Sequence, residues 1–262
     1  MISIKDYIFN NTEYCDSHAN LLGQAVYDKY PSINPNNSIV MCNVLLEDNV
    51  SFLPYFDKFV PENKQYIYSA NGKDLDELKS VINKYEKHIK CIGEIKCYKH
   101  CIDHTNKELE CEDFSIVTNL EFTKLPVFVH CDLSNERIVN MFEEVLKLNA
   151  NKKVVLCHCG INDLDNQDFA FKNAIELQHK YNNLWFEISW KAYDYIGTNN
   201  RKMAQLDTDR IVLGTDLTKY ISETDYKKTM ELFRYWNNQI RNQANIRKLL
   251  SNDDNFIPKQ FV

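Results

Sequence analysis

Short apolar runs alternate along this chain with longer segments that carry apolar residues at helical spacing. Each run is bounded by polar or turn residues, which is typical of parallel strands buried on both faces. The first of eight such runs ends within residues 14–21, and the others lie at residues 38–45, 65–70, 89–96, 126–130, 153–158, 184–189 and 210–216.

Helical patterns follow the apolar runs. The clearest cover residues 21–30, 75–85, 134–148 and 224–236. Asp74 and Ser134 precede two of them and are predicted N-caps, because their side-chain oxygens can accept a hydrogen bond from the first helical turn. The segment after the fourth run is longer, and we predict an irregular loop there followed by a helix at residues 113–122.

Alternation of strands and helices predicts a parallel sheet with helical crossovers. Eight such units in 262 residues fit an α/β fold of the (β/α)₈ TIM-barrel type, with an open doubly wound sheet as the alternative. No composition shift or linker divides the chain. We therefore predict a single domain over residues 1–262.

The composition is that of a globular protein without a basic field. Hydrophobic residues make up 44% of the chain and charged residues 26%, with a net charge of −6. This charge argues against nucleic acid as a partner, and no apolar stretch approaches the roughly 20 residues that span a bilayer. Nine cysteines without a signal peptide indicate reduced thiols and a cytoplasmic location. We expect a small-molecule substrate, and self-association into a homo-oligomer stays open.

Five residues with metal-ligand chemistry stand where predicted strands end: His18, Glu94, His130, His158 and Asp216. Active sites of (β/α)₈ barrels lie at the carboxyl ends of the strands, where side chains from separate strands converge. Three imidazoles and two carboxylates meeting there indicate a divalent metal site, which is preferred to five separate polar core residues. Zn²⁺ is favoured, with Mn²⁺ or Fe²⁺ as alternatives.

Asn20 shares a strand face with His18, where a second ligand from the first strand is expected. An amide oxygen is a weaker ligand for zinc than an imidazole. Three interpretations follow: one ion is retained, the site prefers another metal, or metal chemistry is lost and the pocket only binds. One ion, held by histidines and a carboxylate with Asn20 a weak ligand or none, is favoured over two.

Other residues near the strand ends are candidates for contact with substrate. Lys96 shares its strand face with Glu94 and can pair with a carboxylate or with an acidic group of the substrate. His104 lies in a loop predicted to cover the site, and Trp190 follows the seventh strand. For Trp190, packing in the core or rim is an equally good interpretation.

The cysteines divide into two groups. Cys97, Cys101 and Cys111 lie in the predicted loop near two histidines, at a spacing that is not a standard structural zinc pattern. Cys157 and Cys159 flank His158 and, by strand alternation, are predicted to face the helices as packing residues.

These motifs resemble those of the amidohydrolase superfamily, specifically the amidohydrolase-related and TatD-like metal-dependent hydrolases. Residues 16–20 (DSHAN) match the first-strand Asp-x-His-x-His motif except at the last position. Residues 92–95 (IGEI) resemble the fourth-strand Gly-Glu-Ile segment of TatD-like members. The fifth-, sixth- and eighth-strand motifs are matched by residues 126–131, 154–160 and 213–216. The resemblance keeps the motif order and spans nearly the whole chain.

The resemblance implies roles for single residues. His18 and Asp216 would belong to one metal position and His130 and His158 to a second, with Glu94 bridging them or serving a single ion. Asp216 would carry a proton from the attacking water to the leaving group. Where His158 is not a ligand, it would act as an acid or base.

The resemblance also implies a carboxylated lysine on the fourth strand in some members. For Lys96, pairing with a carboxylate is the favoured interpretation.

The predicted activity is metal-dependent hydrolysis of a C–N, C–O or P–O bond in a small molecule through an activated water. The same superfamily includes decarboxylases, which use the metal to orient an acidic substrate, and TatD-type DNases. Glu94 favours a DNase and the net charge of −6 disfavours it. Asn20 motivates a further alternative, a catalytically degenerate barrel that only binds.

Overall fold

The strands of the chain form one parallel sheet and a separate two-stranded ribbon. The computed structural model describes residues 16–19, 39–42, 65–70, 74–86, 89–102, 108–161, 166–214, 216 and 223–251. In these ranges the strands are β1 Asp16–Ala19, β2 Ile39–Cys42, β3 Gln65–Ala70, β4 Ile89–Lys96, β5 Tyr98–Ile102, β6 Glu108–Glu112, β7 Val127–His130, β8 Val154–Leu156, β9 Leu184–Ile188 and β10 Ile211–Leu213.

The larger sheet is a closed barrel. Its strand order is β1-β2-β3-β4-β7-β8-β9-β10, and every neighbouring pair is parallel. The first and last strands of that order also contact each other. The predicted (β/α)₈ barrel is confirmed and the open doubly wound sheet is wrong. Seven barrel strands fall within the predicted apolar runs, and β1 lies in residues 14–21, where the first run was predicted to end.

Helices cover Leu75–Tyr85, Glu136–Leu148, Gln167–Lys180, Trp190–Ile196, Asn200–Met203, Glu223–Asn237 and Asn242–Leu250. The predicted N-cap Asp74 is confirmed, since its Oδ1 accepts a hydrogen bond from Glu77 N at 2.9 Å. The prediction for Ser134 is wrong by one residue, because Asn135 caps its helix by accepting from Arg137 N. The helix predicted at residues 21–30 lies outside the described residues. None of the described helices is a candidate membrane span.

The segment after β4 differs from its prediction. Residues predicted as an irregular loop form an antiparallel ribbon of β5 and β6. The helix predicted at residues 113–122 is absent from this described segment, which consists of turns. Side chains there bond to nearby backbone groups: Asp113 accepts from Ser115 N, and Asn119 Nδ2 donates to Ser115 O. In a helix that oxygen would accept from Asn119 N, so the side chain competes with the helical hydrogen bond, which explains the error.

Apolar side chains pack into two layers, one on each side of the barrel wall. The inner cluster contains Cys91, Phe128, Val155, Cys157, Trp185, Val212, Ile246 and Leu249. The outer cluster places neighbouring strand residues, such as Val127 and Val129, against helix residues such as Leu78 and Phe142. Strand alternation produces this division, because successive side chains point to opposite faces. The polar residues at the carboxyl ends of the strands therefore lie above a closed apolar interior.

Candidate functional site

Glu94 lies in β4 directly after Gly93, a position that requires glycine. Gly93 has φ +110, and a Cβ there would clash with the Phe128 carbonyl oxygen and lie 2.9 Å from Ile95 N. The missing side chain lets β4 approach β7 closely at this point. Glu94 follows with a half-buried carboxylate that faces the histidines of the next two strands.

His130 is the last residue of β7. Its Nδ1 lies 2.5 Å from Glu94 Oε1, and its ring and the Tyr98 ring pack in a T-shaped arrangement with centroids 5.9 Å apart. The β4–β7 register sets Lys96 opposite His130. Adjacent parallel strands therefore bring a carboxylate and an imidazole into direct contact at the barrel mouth.

His158 is held in a strained turn beyond β8. The strand ends at Leu156, and a short 3₁₀ turn, Cys157–Gly160, follows with φ 54 for His158 and φ 55 for Cys159. Left-handed backbone costs a residue with a Cβ about 1–2 kcal/mol. Asp216 has φ 48 and shares this feature. Strain of this kind persists where the surrounding structure enforces it, and it concentrates at functional sites.

The buried His158 ring faces different partners through its two nitrogens. Nε2 lies 3.2 Å from Glu94 Oε1 and 3.9 Å from Asp216 Oδ2. Nδ1 lies 2.7 Å from Ser189 Oγ and 3.6 Å from Glu187 Oε2. One nitrogen therefore points to the mouth of the barrel and the other to a polar pair at the end of β9.

Protonation of His158 is governed by these carboxylates. Burial opposes the charged ring, but the hydrogen bond to Glu94 and the charges of Glu187, Glu94 and Asp216 outweigh that effect, so the pKa of His158 is raised.

Glu94, His130 and His158 together offer a ligand set for a cation. One donor atom from each residue lies within 4.8 Å of the other two. Two imidazoles and one carboxylate are the ligand types found at catalytic zinc sites, and they also suit Mn²⁺ and Fe²⁺. Among the residues that the structure describes, the donor set therefore fits a divalent transition metal.

The remaining predicted ligands are His18, Asn20 and Asp216, and the structure describes them to different extents. His18 lies in β1, whose backbone is described, while Asn20 lies outside the described residues. Asp216 lies beside His158, as given above, and is half-buried. The structure therefore brings together Glu94, His130, His158 and Asp216, and a contribution from His18 or Asn20 stays a prediction.

The predicted substrate contacts are placed as follows. Lys96 is exposed at the end of β4, with its Nζ 5.8 Å from the centroid of the Tyr98 ring. The effect of burial on Lys96 is outweighed by Tyr98, which also hydrogen-bonds to it, and by the negative charge of Glu94, so the pKa of Lys96 is raised and its ammonium stays charged. Trp190 begins the helix Trp190–Ile196. His104 lies outside the described residues.

The two cysteines beside His158 have different environments. Cys159 packs in the outer cluster, as predicted, but Cys157 packs in the inner cluster, so the prediction for Cys157 is wrong. Alternation in β8 places Val155 and Cys157 inside, and the left-handed turn at residues 158 and 159, not alternation, brings His158 to the barrel mouth. Burial raises the pKa of both thiols, which therefore remain protonated packing groups.

Sequence reasoning missed Glu187, Ser189 and Tyr98. Glu187 is fully buried in an otherwise apolar strand. A carboxylate inside a buried run is costly unless it has polar partners, and this was the available signal. Nothing in the local sequence indicates that its partner is His158, which is 29 positions earlier. Tyr98 was hidden in a segment predicted as a loop.

No family model matches the chain, and no curated protein matches it. Several solved structures are similar to the chain. A dihydroorotase has 13% identity, a TM-score of 0.56, and coverage of 90% of this chain and 69% of its own. An amidohydrolase from Burkholderia multivorans with bound zinc has 13% identity and a TM-score of 0.52, covering 87% and 84%. A TIM-barrel protein from Bordetella bronchiseptica has 11% identity and a TM-score of 0.50, covering 95% and 90%. These similarities show that the chain has a TIM-barrel fold.

Proposed function

We propose that this protein is a metal-dependent hydrolase of the amidohydrolase superfamily that acts on a C–N, C–O or P–O bond of a small molecule. The observation that carries the proposal is the convergence of Glu94, His130 and His158, with donor atoms within 4.8 Å of one another. They come from β4, from the end of β7 and from the turn after β8, at the end of the barrel where active sites lie.

Glu94, His130 and His158 would hold the metal, with His18 as a further predicted ligand. A single ion is favoured, because these three residues form a complete ligand set without Asn20. Zn²⁺ is the favoured ion. Support comes from the donor chemistry and from two proteins of similar fold, a dihydroorotase and an amidohydrolase with bound zinc.

A divalent ion supplies Lewis acidity, which makes water more acidic and polarises the bond under attack. Asp216 is the group proposed to move the proton. Its Oδ2 lies 3.9 Å from His158 Nε2. From this position its carboxylate can accept a proton from the attacking water and return it to the leaving group.

Lys96 is proposed to bind an acidic group of the substrate. Its charged ammonium is exposed beside the site, next to Tyr98. The same observation favours a second candidate reaction, decarboxylation of an acidic small molecule. A TatD-type DNase is disfavoured, because a net charge of −6 offers no field that would attract a polyanion.

Metal analysis tests the proposal directly. Protein purified without chelator and then offered Zn²⁺, Mn²⁺ or Fe²⁺ is expected to bind about one ion per chain. His130→Ala is expected to abolish binding, and Glu143→Gln, on a helix outside the barrel, is the control that retains it. Binding of less than roughly a tenth of an equivalent of every metal by the wild-type protein would refute the proposal.

Activity separates the candidate reactions. The metal-loaded protein is assayed against amides, lactones, phosphate esters, aromatic carboxylic acids and single-stranded DNA. For the substrate that is turned over, Asp216→Asn is expected to lower kcat about 100- to 10,000-fold while metal stoichiometry stays unchanged. An Asp216→Asn variant with wild-type kcat would exclude Asp216 as the proton carrier.

A further inference from the structure

We infer that Glu187 and Ser189 are positioning residues that fix the ring and backbone of His158 for ligation through Nε2. The inference rests on the proposed metal site, of which His158 is one ligand. It adds two residues at the end of β9 to the machinery of that site. Neither residue touches the reacting atoms.

Glu187 binds the backbone of the strained turn. Its side chain is fully buried, and its Oε2 accepts a hydrogen bond from His158 N at 2.9 Å. The same oxygen lies 3.6 Å from His158 Nδ1. A single carboxylate therefore holds the main chain at the left-handed residue and presents negative charge to the inner side of its ring.

Ser189 occupies a helix-capping position, but its hydroxyl contacts His158. It occupies the N-cap position of the helix Trp190–Ile196, yet its side chain makes no capping hydrogen bond to the described part of that helix. Its Oγ lies instead 2.7 Å from His158 Nδ1. A serine at this position ordinarily stabilises the helix by capping. We therefore attribute the placement of the Ser189 hydroxyl to its contact with His158 and not to helix capping.

The two contacts select one arrangement of the imidazole. A neutral histidine carries its proton on one nitrogen and a lone pair on the other. When a cation binds at Nε2, the proton of the neutral ring lies on Nδ1, where Ser189 Oγ and the Glu187 carboxylate face it. Metal-ligating histidines commonly donate their second N–H to such outer partners, which fixes the tautomer and the ring orientation.

The test compares four variants with the wild-type protein. Glu187→Gln removes the charge, Ser189→Ala removes the hydroxyl, and Ser189→Thr restores a hydroxyl. Glu143→Gln is the matched control, because it makes the same carboxylate-to-amide change on the outer helix Glu136–Leu148. Zinc Kd is measured by competition with a chromophoric chelator, and folding is checked by thermal melting.

Glu187→Gln and Ser189→Ala are each expected to raise the zinc Kd roughly 10- to 100-fold. Ser189→Thr is expected to return it towards the wild-type value, and Glu143→Gln to leave it unchanged. The visible spectrum of the Co²⁺ form should change in the first two variants and be restored in the third. Wild-type zinc affinity in both Glu187→Gln and Ser189→Ala would overturn the inference. If Glu187→Gln does not fold, the Ser189→Ala and Ser189→Thr pair decides.

A readout without metal separates the failure of this inference from the failure of the proposed function. Heteronuclear NMR of the ring nitrogens, at alkaline pH where the ring is neutral, reports the tautomer of His158 in the metal-free protein. Ser189→Ala should shift the ratio of the Nδ1–H and Nε2–H forms away from the wild-type value, because it removes the group nearest to Nδ1. A protein that binds no metal but shows this shift refutes the metal site and retains the positioning role. An unchanged tautomer in Ser189→Ala overturns the positioning role.

Discussion

The two ends of the barrel differ in the polar groups they carry: carboxylates at the carboxyl end and hydrogen-bond donors at the amino end. At the carboxyl end, Glu94, Asp216 and Glu187 surround His158 on a backbone that includes left-handed residues. At the amino end, cationic and amide side chains that precede the strands donate to main-chain carbonyl oxygens where the surrounding helices end. The first end gathers carboxylates around imidazoles, whereas the second gathers side-chain donors around main-chain carbonyl oxygens.

Three residues illustrate the amino end. Arg210, just before β10, donates to the carbonyl oxygens of Gln178, Tyr181 and Leu184 at 2.7–3.1 Å. Lys153, just before β8, donates to Lys248 O and Ser251 O at the end of the last helix. Asn183, just before β9, donates to Leu146 O and Asn149 O. Each donor binds at least one carbonyl group in the last turn of a helix, where the helix itself provides no donor.

The last helix, Asn242–Leu250, completes the amino end. Ile246 and Leu249 belong to the inner cluster, and Lys153 ties the carboxyl end of this helix to the start of β8. Asn245 donates to Thr208 O and Ile211 O beside β10. The helix therefore covers the apolar interior at the amino end of the barrel.

The comparison shows where stability and function are placed in this chain. The amino end combines apolar burial with satisfied hydrogen bonds, and both stabilise the fold. The carboxyl end combines buried charge with strained backbone, and both oppose folding. A change at the amino end should therefore lower stability without affecting metal binding, while a change at the carboxyl end should affect metal binding.

The largest expected effect comes from Gly93→Ala at the carboxyl end. The new Cβ would clash with the Phe128 carbonyl oxygen at φ +110, and the displaced strand would move Glu94. We expect a loss of at least about 4 kcal/mol in the free energy of unfolding, measured with urea, and loss of zinc binding. Gly197→Ala is the matched control. Its backbone has φ +53 but its Cβ would lie 3.8 Å from the nearest atom, so we expect a cost of about 2 kcal/mol with zinc binding retained.

Arg210→Ala should have the next largest effect, this time at the amino end. The substitution leaves three carbonyl oxygens without their charged donor, which should lower the free energy of unfolding by about 3 kcal/mol. Zinc stoichiometry should stay at the wild-type value. The control is Arg201→Ala on the exposed helix Asn200–Met203, expected to change stability by less than about 0.5 kcal/mol. A loss of zinc binding in Arg210→Ala would show that the two ends are not separable.

The smallest effect concerns the pH dependence of stability outside the barrel. Glu143 accepts hydrogen bonds from Lys180 and Tyr181 and contacts Lys147, and these partners lower its pKa from 4.5 to about 2. A carboxyl whose pKa is lower in the folded state contributes stability above the unfolded value of 4.5 and loses it as the pH falls towards 2. Wild-type protein should therefore melt at a higher temperature than Glu143→Gln at neutral pH.

The difference in Tm between these two proteins should shrink as the pH falls through that window. The control is Glu176→Gln, which removes an exposed ion pair with Lys172 and should show little difference at any pH. A Tm difference for Glu143→Gln that stays constant down to the acid end would contradict the prediction.

Much of the barrel was predictable because its signals are local. The bounds of β3 and β4 are those that the apolar runs predicted, and the helix Leu75–Tyr85 follows from its apolar spacing and the cap at Asp74. Strand ends of a parallel barrel share one face, so placing Glu94 and His130 near each other needed only the fold class. The distance between their side chains needed the structure.

Two of the wrong predictions, the helix at residues 113–122 and the direction of Cys157, lie where contacts beyond the local pattern decide the structure. Residues 113–122 carry apolar residues at helical spacing, but turns stabilised by side chains replace the helix. At the end of β8, Cys157 keeps the inward direction of Val155, and the left-handed turn that follows brings His158 to the barrel mouth against alternation. In both places, contacts made by the folded chain outweigh the intrinsic preference of the segment.

The sequence by itself determined the strands, the order of the polar residues at their ends and the type of chemistry those residues can perform. Hydrophobic periodicity is sufficient for this, since it depends on residues that are close in the chain. Only the tertiary structure decided which groups meet: Glu94 with both histidines, and Glu187 and Ser189 with the inner side of His158. These contacts join residues that are distant in sequence, and they depend on strand register and on a left-handed turn that the packed barrel enforces.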